Sequence, residues 1–365
     1  MIRVLIVDDS ATARLLLTRL LTSDPDIEVV GTANDGAEGV ARALELRPNL
    51  ITMDIRMPRM DGLEATRRIM EQIPTPIIVV SASVDSADLP ITFSAIQAGA
   101  LEVLEKPVGF GAQNFEALRQ RLLLTVKLMA EVMVVRRRPR PPTGTLPASS
   151  APHYGPPAER PRVTQPLHIP SLSQPLALVA IGASTGGPSA LATLLKVLPA
   201  DFPVPIAIVQ HIASGFLPGL VTWLQTMCAL SLKVAQEGEL MAPGQVYFAP
   251  EDRHLVLSAR GMLSASYAPA VSHVRPSATV LFKSAAAAYG PEVAGVLLTG
   301  MGDDGAEGLK AIREAGGTTL AQDEATSVVY GMPRAAVELG AVSVVLPLER
   351  MAPTMIALTR SARQS

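Results

Sequence analysis

The chain has 365 residues, nearly half of them apolar, and a formal net charge of −2. That length accommodates two domains of ordinary size, each with its own core, and the charge excludes an overall basic footprint for nucleic acid. No apolar run reaches the length of a membrane span and Cys228 is the only cysteine, which excludes membrane insertion and an intramolecular disulfide.

The first apolar run, residues 4–7, is too short for a signal-peptide core and meets Asp8-Asp9 at once. The chain therefore reads as soluble and cytosolic. Residues 1–135 alternate apolar runs at 4–7, 28–31, 50–53, 77–80 and 101–104 with helical patterns such as 11–21, 37–46 and 115–131. Five such repeats predict a doubly wound α/β domain with a five-stranded parallel sheet.

Asp8 and Asp9 end the first predicted strand, Asp54 follows the third, Ser81 the fourth and Lys106 the fifth. In an open parallel sheet, ligands bind outside the carboxyl ends of the strands. Three crowded carboxylates invite a hard cation, and Mg²⁺ takes oxygen ligands. Asp54 is the candidate phosphoryl acceptor, with Asp8, Asp9 and Asp54 as metal ligands. Lys106 neutralises the new charge, roughly −1.5 to −2, and Ser81 donates its hydroxyl to a phosphoryl oxygen. Asp8-Asp9 alone would read as helix capping. All five together, with the run Asp54-Ile55-Arg56-Met57-Pro58-Arg59-Met60-Asp61-Gly62 and the step Lys106-Pro107, resemble a response-regulator receiver domain. One position departs from that family: Val103 stands where an aromatic switch residue is frequent.

Residues 136–175 open on Arg136-Arg137-Arg138-Pro139-Arg140 and stay rich in proline and polar residues. Such a composition cannot bury enough apolar surface to fold. It reads as a linker with a solvated basic start, and about 40 flexible residues span roughly 35 Å.

Residues 176–365 return to an α/β pattern, with strands expected at 178–181, 206–209, 245–248, 255–257, 295–298 and 318–321 and a mostly parallel sheet. The first strand runs into Gly182-Ala183-Ser184-Thr185-Gly186-Gly187-Pro188, with a helix expected over 189–198. The glycines allow a tight strand-to-helix turn that presents Ser184 beside helix N–H groups. A phosphate-binding loop is the alternative, but the run has no Walker lysine and does not fit Gly-x-Gly-x-x-Gly. The next strand ends in Gln210-His211, a later one in Thr299-Gly300-Met301-Gly302-Asp303-Asp304-Gly305. A lone histidine reads as structural, and Asp-Gly as a turn. Together, a serine, a histidine and an aspartate at strand ends of one sheet suit nucleophilic acyl chemistry, with His211 as base and Asp304 orienting it.

These runs, with Ala249-Pro250-Glu251-Asp252-Arg253-His254-Leu255 and the run from Gln322 through Ala336, resemble the catalytic domain of chemotaxis protein-glutamate methylesterases. The resemblance implies a receiver-controlled, phosphorylation-activated esterase that also deamidates glutamines. Its partners would be methyl-accepting chemoreceptors and a chemotaxis histidine kinase, with Mg²⁺ serving the receiver and no cofactor serving ester hydrolysis. By that resemblance Ser184 is nucleophile, His211 base and Asp304 orienting acid, and the Met301 N–H joins the oxyanion hole. Asp303, beside Asp304, is a second carboxylate that could face the histidine, and His273 is a rival base. Thr279 replaces a frequent aspartate, a change expected at the substrate. The intact trio weighs against a non-catalytic phosphorylation-gated module, and the third zone has no basic helix-turn-helix pattern of a DNA-binding regulator.

Overall fold

The computed structural model describes residues 1–81, 89–107, 115–132, 134, 175–258 and 261–361. The expected linker lies almost wholly outside the described residues. The N-terminal sheet is built from β1 (Ile2–Val7), β2 (Ile27–Ala33), β3 (Leu50–Met53), β4 (Ile77–Ser81) and β5 (Glu102–Glu105). They pair in parallel in the order β2-β1-β3-β4-β5. Helices α1 (Ala11–Leu21), α2 (Gly36–Leu46), α3 (Gly62–Gln72), α4 (Leu89–Ala98) and α5 (Phe115–Ala130) connect or follow these strands. Three start on side-chain caps: Ser10, Asp35 and Asp61 each accept an N–H from the first helical turn. The fifth strand begins one residue later than its apolar run because Glu102, not Leu101, opens the ladder with β4.

The C-terminal sheet has seven strands in the order β14-β13-β12-β6-β7-β9-β8, and every pairing in it is parallel. Its members are β6 (Leu178–Ala183), β7 (Ile206–Gln210), β8 (Ser231–Val234), β9 (Gln245–Phe248), β12 (Val293–Leu297), β13 (Thr318–Gln322) and β14 (Val344–Leu346). The apolar run at 255–257 belongs elsewhere: β10 (His254–Leu257) pairs antiparallel with β11 (Leu263–Ser266) in a separate hairpin. Helices α6 (Gly187–Leu195), α7 (Leu217–Gln225), α8 (Ala278–Tyr289), α9 (Ala306–Glu314), α10 (Met332–Glu338) and α11 (Leu348–Ser361) cover the faces. The central strands are buried along their whole length, as expected of parallel strands between helix layers.

β6, the first strand, lies between β12 and β7. The chain winds outward in both directions from it, so its carboxyl end is a topological switch point, where doubly wound sheets open a crevice. Among the described residues no helix is long and apolar enough to cross a membrane.

Candidate active site

Ala183 ends β6 opposite Gln210, the last residue of β7. Ser184 and His211 therefore leave adjacent strands at the same level, and the His211 N–H donates to the Ala183 carbonyl at 3.0 Å. The Gln210 side-chain amide donates to the carbonyls of Ser184 (2.8 Å) and His211 (3.0 Å), tying the two turns together. On the other side, the Ser184 N–H donates to the Thr299 carbonyl beyond β12 at 3.0 Å. Gly300 lies so close that a Cβ there would stand 2.7 Å from the Ser184 Cβ and 2.3 Å from the Met332 sulfur. Only glycine lets this loop reach the serine.

His211 Nε2 lies 2.9 Å from Asp304 Oδ2. A carboxylate accepts, so Nε2 carries the proton and Nδ1 is left as the acceptor. No hydrogen bond joins Ser184 Oγ to the imidazole among the described residues; such contacts are frequently loose before substrate binds. Asp303 is exposed, and so is His273; Asp304 is the carboxylate that meets His211. Asp304 is also cradled by the first turn of α8. Its oxygens accept from Ser277 Oγ (2.6 Å), Ala278 N–H (2.6 Å) and Thr279 N–H (3.1 Å). Burial alone would raise its pKa, but the contact with His211 and the Ser277 and Ala278 donors outweigh burial and bring it down to about 2. Thr279 is largely buried, yet it lines a pocket with Asp303, and its hydroxyl accepts the Gly305 N–H at 2.7 Å. The Met301 side chain is exposed, and its N–H, like that of Thr185, has no acceptor among the described residues.

In the N-terminal sheet, Asp8, Asp9 and Asp54 present carboxylate oxygens within 4.8 Å of one another. This oxygen set suits a small hard cation such as Mg²⁺. Lys106 Nζ bridges Asp8 (2.6 Å) and Asp54 (2.7 Å). Burial raises the Asp54 pKa and outweighs the lowering effect of Lys106. Burial works against the charged Lys106, but its bonds to Asp54 and Asp8 prevail and raise its pKa. Ser81 is the buried last residue of β4 at the same edge.

Two family models match. Residues 4–117 match the response regulator receiver domain and residues 179–355 the CheB methylesterase. A protein-glutamate methylesterase/protein-glutamine glutaminase of Myxococcus xanthus is 51% identical over 91% of this chain and 90% of that protein. One from Geobacter metallireducens is 45% identical over 98% of this chain and 99% of its own length. The chain belongs to the protein-glutamate methylesterase/protein-glutamine glutaminase family. It is thus a hydrolase of carboxylic esters and amides with a receiver domain, a class of domain that generally uses Mg²⁺ for phosphorylation. A crystal structure of the Thermotoga maritima CheB methylesterase catalytic domain is 39% identical, covering 50% of this chain and 98% of that one at a TM-score of 0.49.

In this methylesterase the receiver packs against helices that cover the hydrolase sheet. Helix α4 packs on α7 and α6, with Phe93 against Trp223 at 5.8 Å between ring centroids. Val328 and Val329 lean on the apolar cluster under α5. Between the two bodies runs a cleft of about 1020 Å³, bounded by Leu128, Glu131 and Val132 on one side and Met301, Asp303 and Tyr330 on the other. Two residues beyond Ser184, the Gly186 N–H donates to the Glu102 carboxyl group. Gly186 has φ +76, and a Cβ there would meet Val328 at 2.5 Å. Sequence reasoning missed Glu102 and gave Ser277 no role of its own. Ser277 could have been found as a cap before the apolar helical run that starts at Ala278. Glu102 gave no signal, because its partner lies in the other half of the chain.

Proposed function

We propose that Ser184, His211 and Asp304 are a catalytic triad that hydrolyses glutamate γ-methyl esters on chemoreceptors and deamidates receptor glutamines. The observation that carries this reading is the 2.9 Å contact between His211 Nε2 and Asp304, made by a histidine that, like Ser184, stands one position beyond the register pair Ala183–Gln210. His211 Nδ1 takes the hydroxyl proton as Ser184 Oγ attacks the γ-carbonyl carbon. The oxyanion is met by backbone N–H groups, that of Met301 among them; one such donor contributes roughly 3–4 kcal/mol. Collapse expels methanol, or ammonia from a glutamine, with the proton returned by His211. Water, deprotonated by the same imidazole, then cleaves the acyl-enzyme and frees Ser184. The chemistry uses protein groups throughout and calls for no cofactor.

Asp54 is the phosphoryl acceptor for a chemotaxis histidine kinase. Asp8, Asp9 and Asp54 would hold Mg²⁺, which supplies charge neutralisation for phosphoryl transfer. In the docked arrangement the receiver narrows the approach to Ser184, which is 9% exposed. A phosphoryl group on Asp54 claims Lys106, the residue that follows β5, and so loosens the face that carries Glu102 and α4. The segment 136–175 keeps the two halves tethered meanwhile. Moving a closed-to-open ratio from 1:99 to even requires about 2.7 kcal/mol, within reach of a few new charged contacts.

Methanol release from methylated receptor is the test. Ser184→Ala is expected to lower kcat by about 10⁶. Near wild-type release from that variant would contradict the triad.

A further inference from the structure

His254, the first residue of β10, is fully buried, and both its ring nitrogens are engaged. Nδ1 faces the Ser277 N–H at 3.1 Å and Nε2 faces the Pro269 carbonyl at 3.1 Å. A backbone N–H can only donate and a carbonyl can only accept, so Nδ1 is the acceptor and Nε2 carries the single proton. The imidazole thus pins Ser277 from behind. Ser277 is itself fully buried and caps α8, accepting the Val280 N–H while its own hydroxyl proton goes to Asp304 Oδ1 at 2.6 Å.

Asp304 leans on this assembly more than on its own loop. Three of its donors, Ser277 Oγ, Ala278 N–H and Thr279 N–H, belong to the cap and first turn of α8. The fourth contact is His211. Where that helix end sits decides where the carboxylate points. The Ser277 backbone, held by His254, is the attachment of that helix end to the β10–β11 hairpin, which lies outside the main sheet.

We propose that His254 and Ser277 are positioning residues for Asp304: together they fix the α8 N-terminus so that the carboxylate meets His211 Nε2 in one orientation. The inference rests on the triad reading above. It sets His254 apart from a core histidine that only fills space, because its effect on turnover must pass through Asp304.

The test is a coupling measurement by methanol release from methylated receptor. Ser277→Ala, His254→Phe and His254→Asn are each made in the full chain, once alone and once with Asp304→Ala. Displacing a catalytic group by an ångström costs up to about 100-fold. Ser277→Ala and His254→Phe alone are therefore expected to lower kcat about 10- to 100-fold with KM changed less than twofold. His254→Asn keeps an acceptor near the Nδ1 position and is expected to stay within about threefold of wild type. With Asp304→Ala, which alone should cost about 10⁴, the same changes should cost less than about twofold more. If His254→Phe does not fold, Ser277→Ala, which deletes one oxygen, decides alone. Equal losses in both backgrounds, or no loss from Ser277→Ala, overturn the proposal while leaving the triad intact. An Asp304→Ala enzyme with wild-type turnover overturns the triad and the positioning pair together.

Discussion

The Glu102 carboxyl group of the receiver accepts the Gly186 N–H of the hydrolase at 3.1 Å, two residues beyond Ser184. Burial raises its pKa, against the lowering effects of the Arg121 charge and of the Gly186 and Val103 N–H groups. The docked state therefore favours the protonated acid. Its contribution is fully present below the ordinary glutamate range and is lost as pH rises through the raised value.

Glu102→Ala should increase unstimulated methanol release about five- to tenfold, the equivalent of roughly 1–1.4 kcal/mol of lost docking. Glu102→Gln keeps an acceptor without a charge, so it should hold basal activity low. The ratio of wild-type to Glu102→Gln basal rate should climb with pH. A ratio flat from pH 5 to 8, or an unchanged Glu102→Ala rate, would remove Glu102 from the control of access.

Trp223, the only tryptophan, is 2% exposed and lies tilted against Phe93, so its emission reports the contact between α4 and α7. Adding a phosphodonor with Mg²⁺ should shift that emission to the red in step with rising methanol release. Asp54→Asn should abolish both responses and leave basal activity. Stimulated turnover with a silent Trp223 would mean that α4 stays docked during activation.

Asp304 is held down to about 2 against an ordinary 3.8. The sign is that of a lowered acid: its contribution, about 2 kcal/mol, is present above pH 3.8 and fades as pH falls toward 2. Asp304→Asn should therefore be less stable than wild type in denaturant titrations at pH 5–7, with the gap closing in acid. A gap independent of pH would mean that the cradle does not favour the ionised form.

Gly300→Ala would push a methyl group against the Ser184 Cβ, the Ser184 N and the Met332 sulfur. Expected are a loss of about 1–3 kcal/mol in stability and a fall in turnover larger than stability explains, since the displaced atom carries the hydroxyl. Thermal melts and kcat on the same preparation separate the two.

Much of this could be read from the chain. Apolar runs between helical patterns located ten of the twelve strands in the two parallel sheets, because parallel strands buried on both faces are apolar throughout. Only β8 and β14, short edge strands with exposed positions, escaped that signal. The residues at strand ends could be named because doubly wound sheets put their sites there. What stayed hidden depends on partners far apart in sequence. The bond that Thr279 makes to the Gly305 N–H joins residues 26 apart and leaves no mark in the local pattern. Asp303 and Asp304 are indistinguishable as neighbours until the α8 N-terminus claims one of them. Glu102 is one polar residue in an apolar run until Gly186 appears opposite it.

The most direct measurement is the kcat of Ser184→Ala, His211→Ala and their double variant on methylated receptor. Groups that work as one unit fail as one unit: each single change should cost about 10⁶, and the double variant should be no slower than either. Losses that multiply in the double variant, or wild-type turnover in either single one, would contradict a shared proton path between these two side chains.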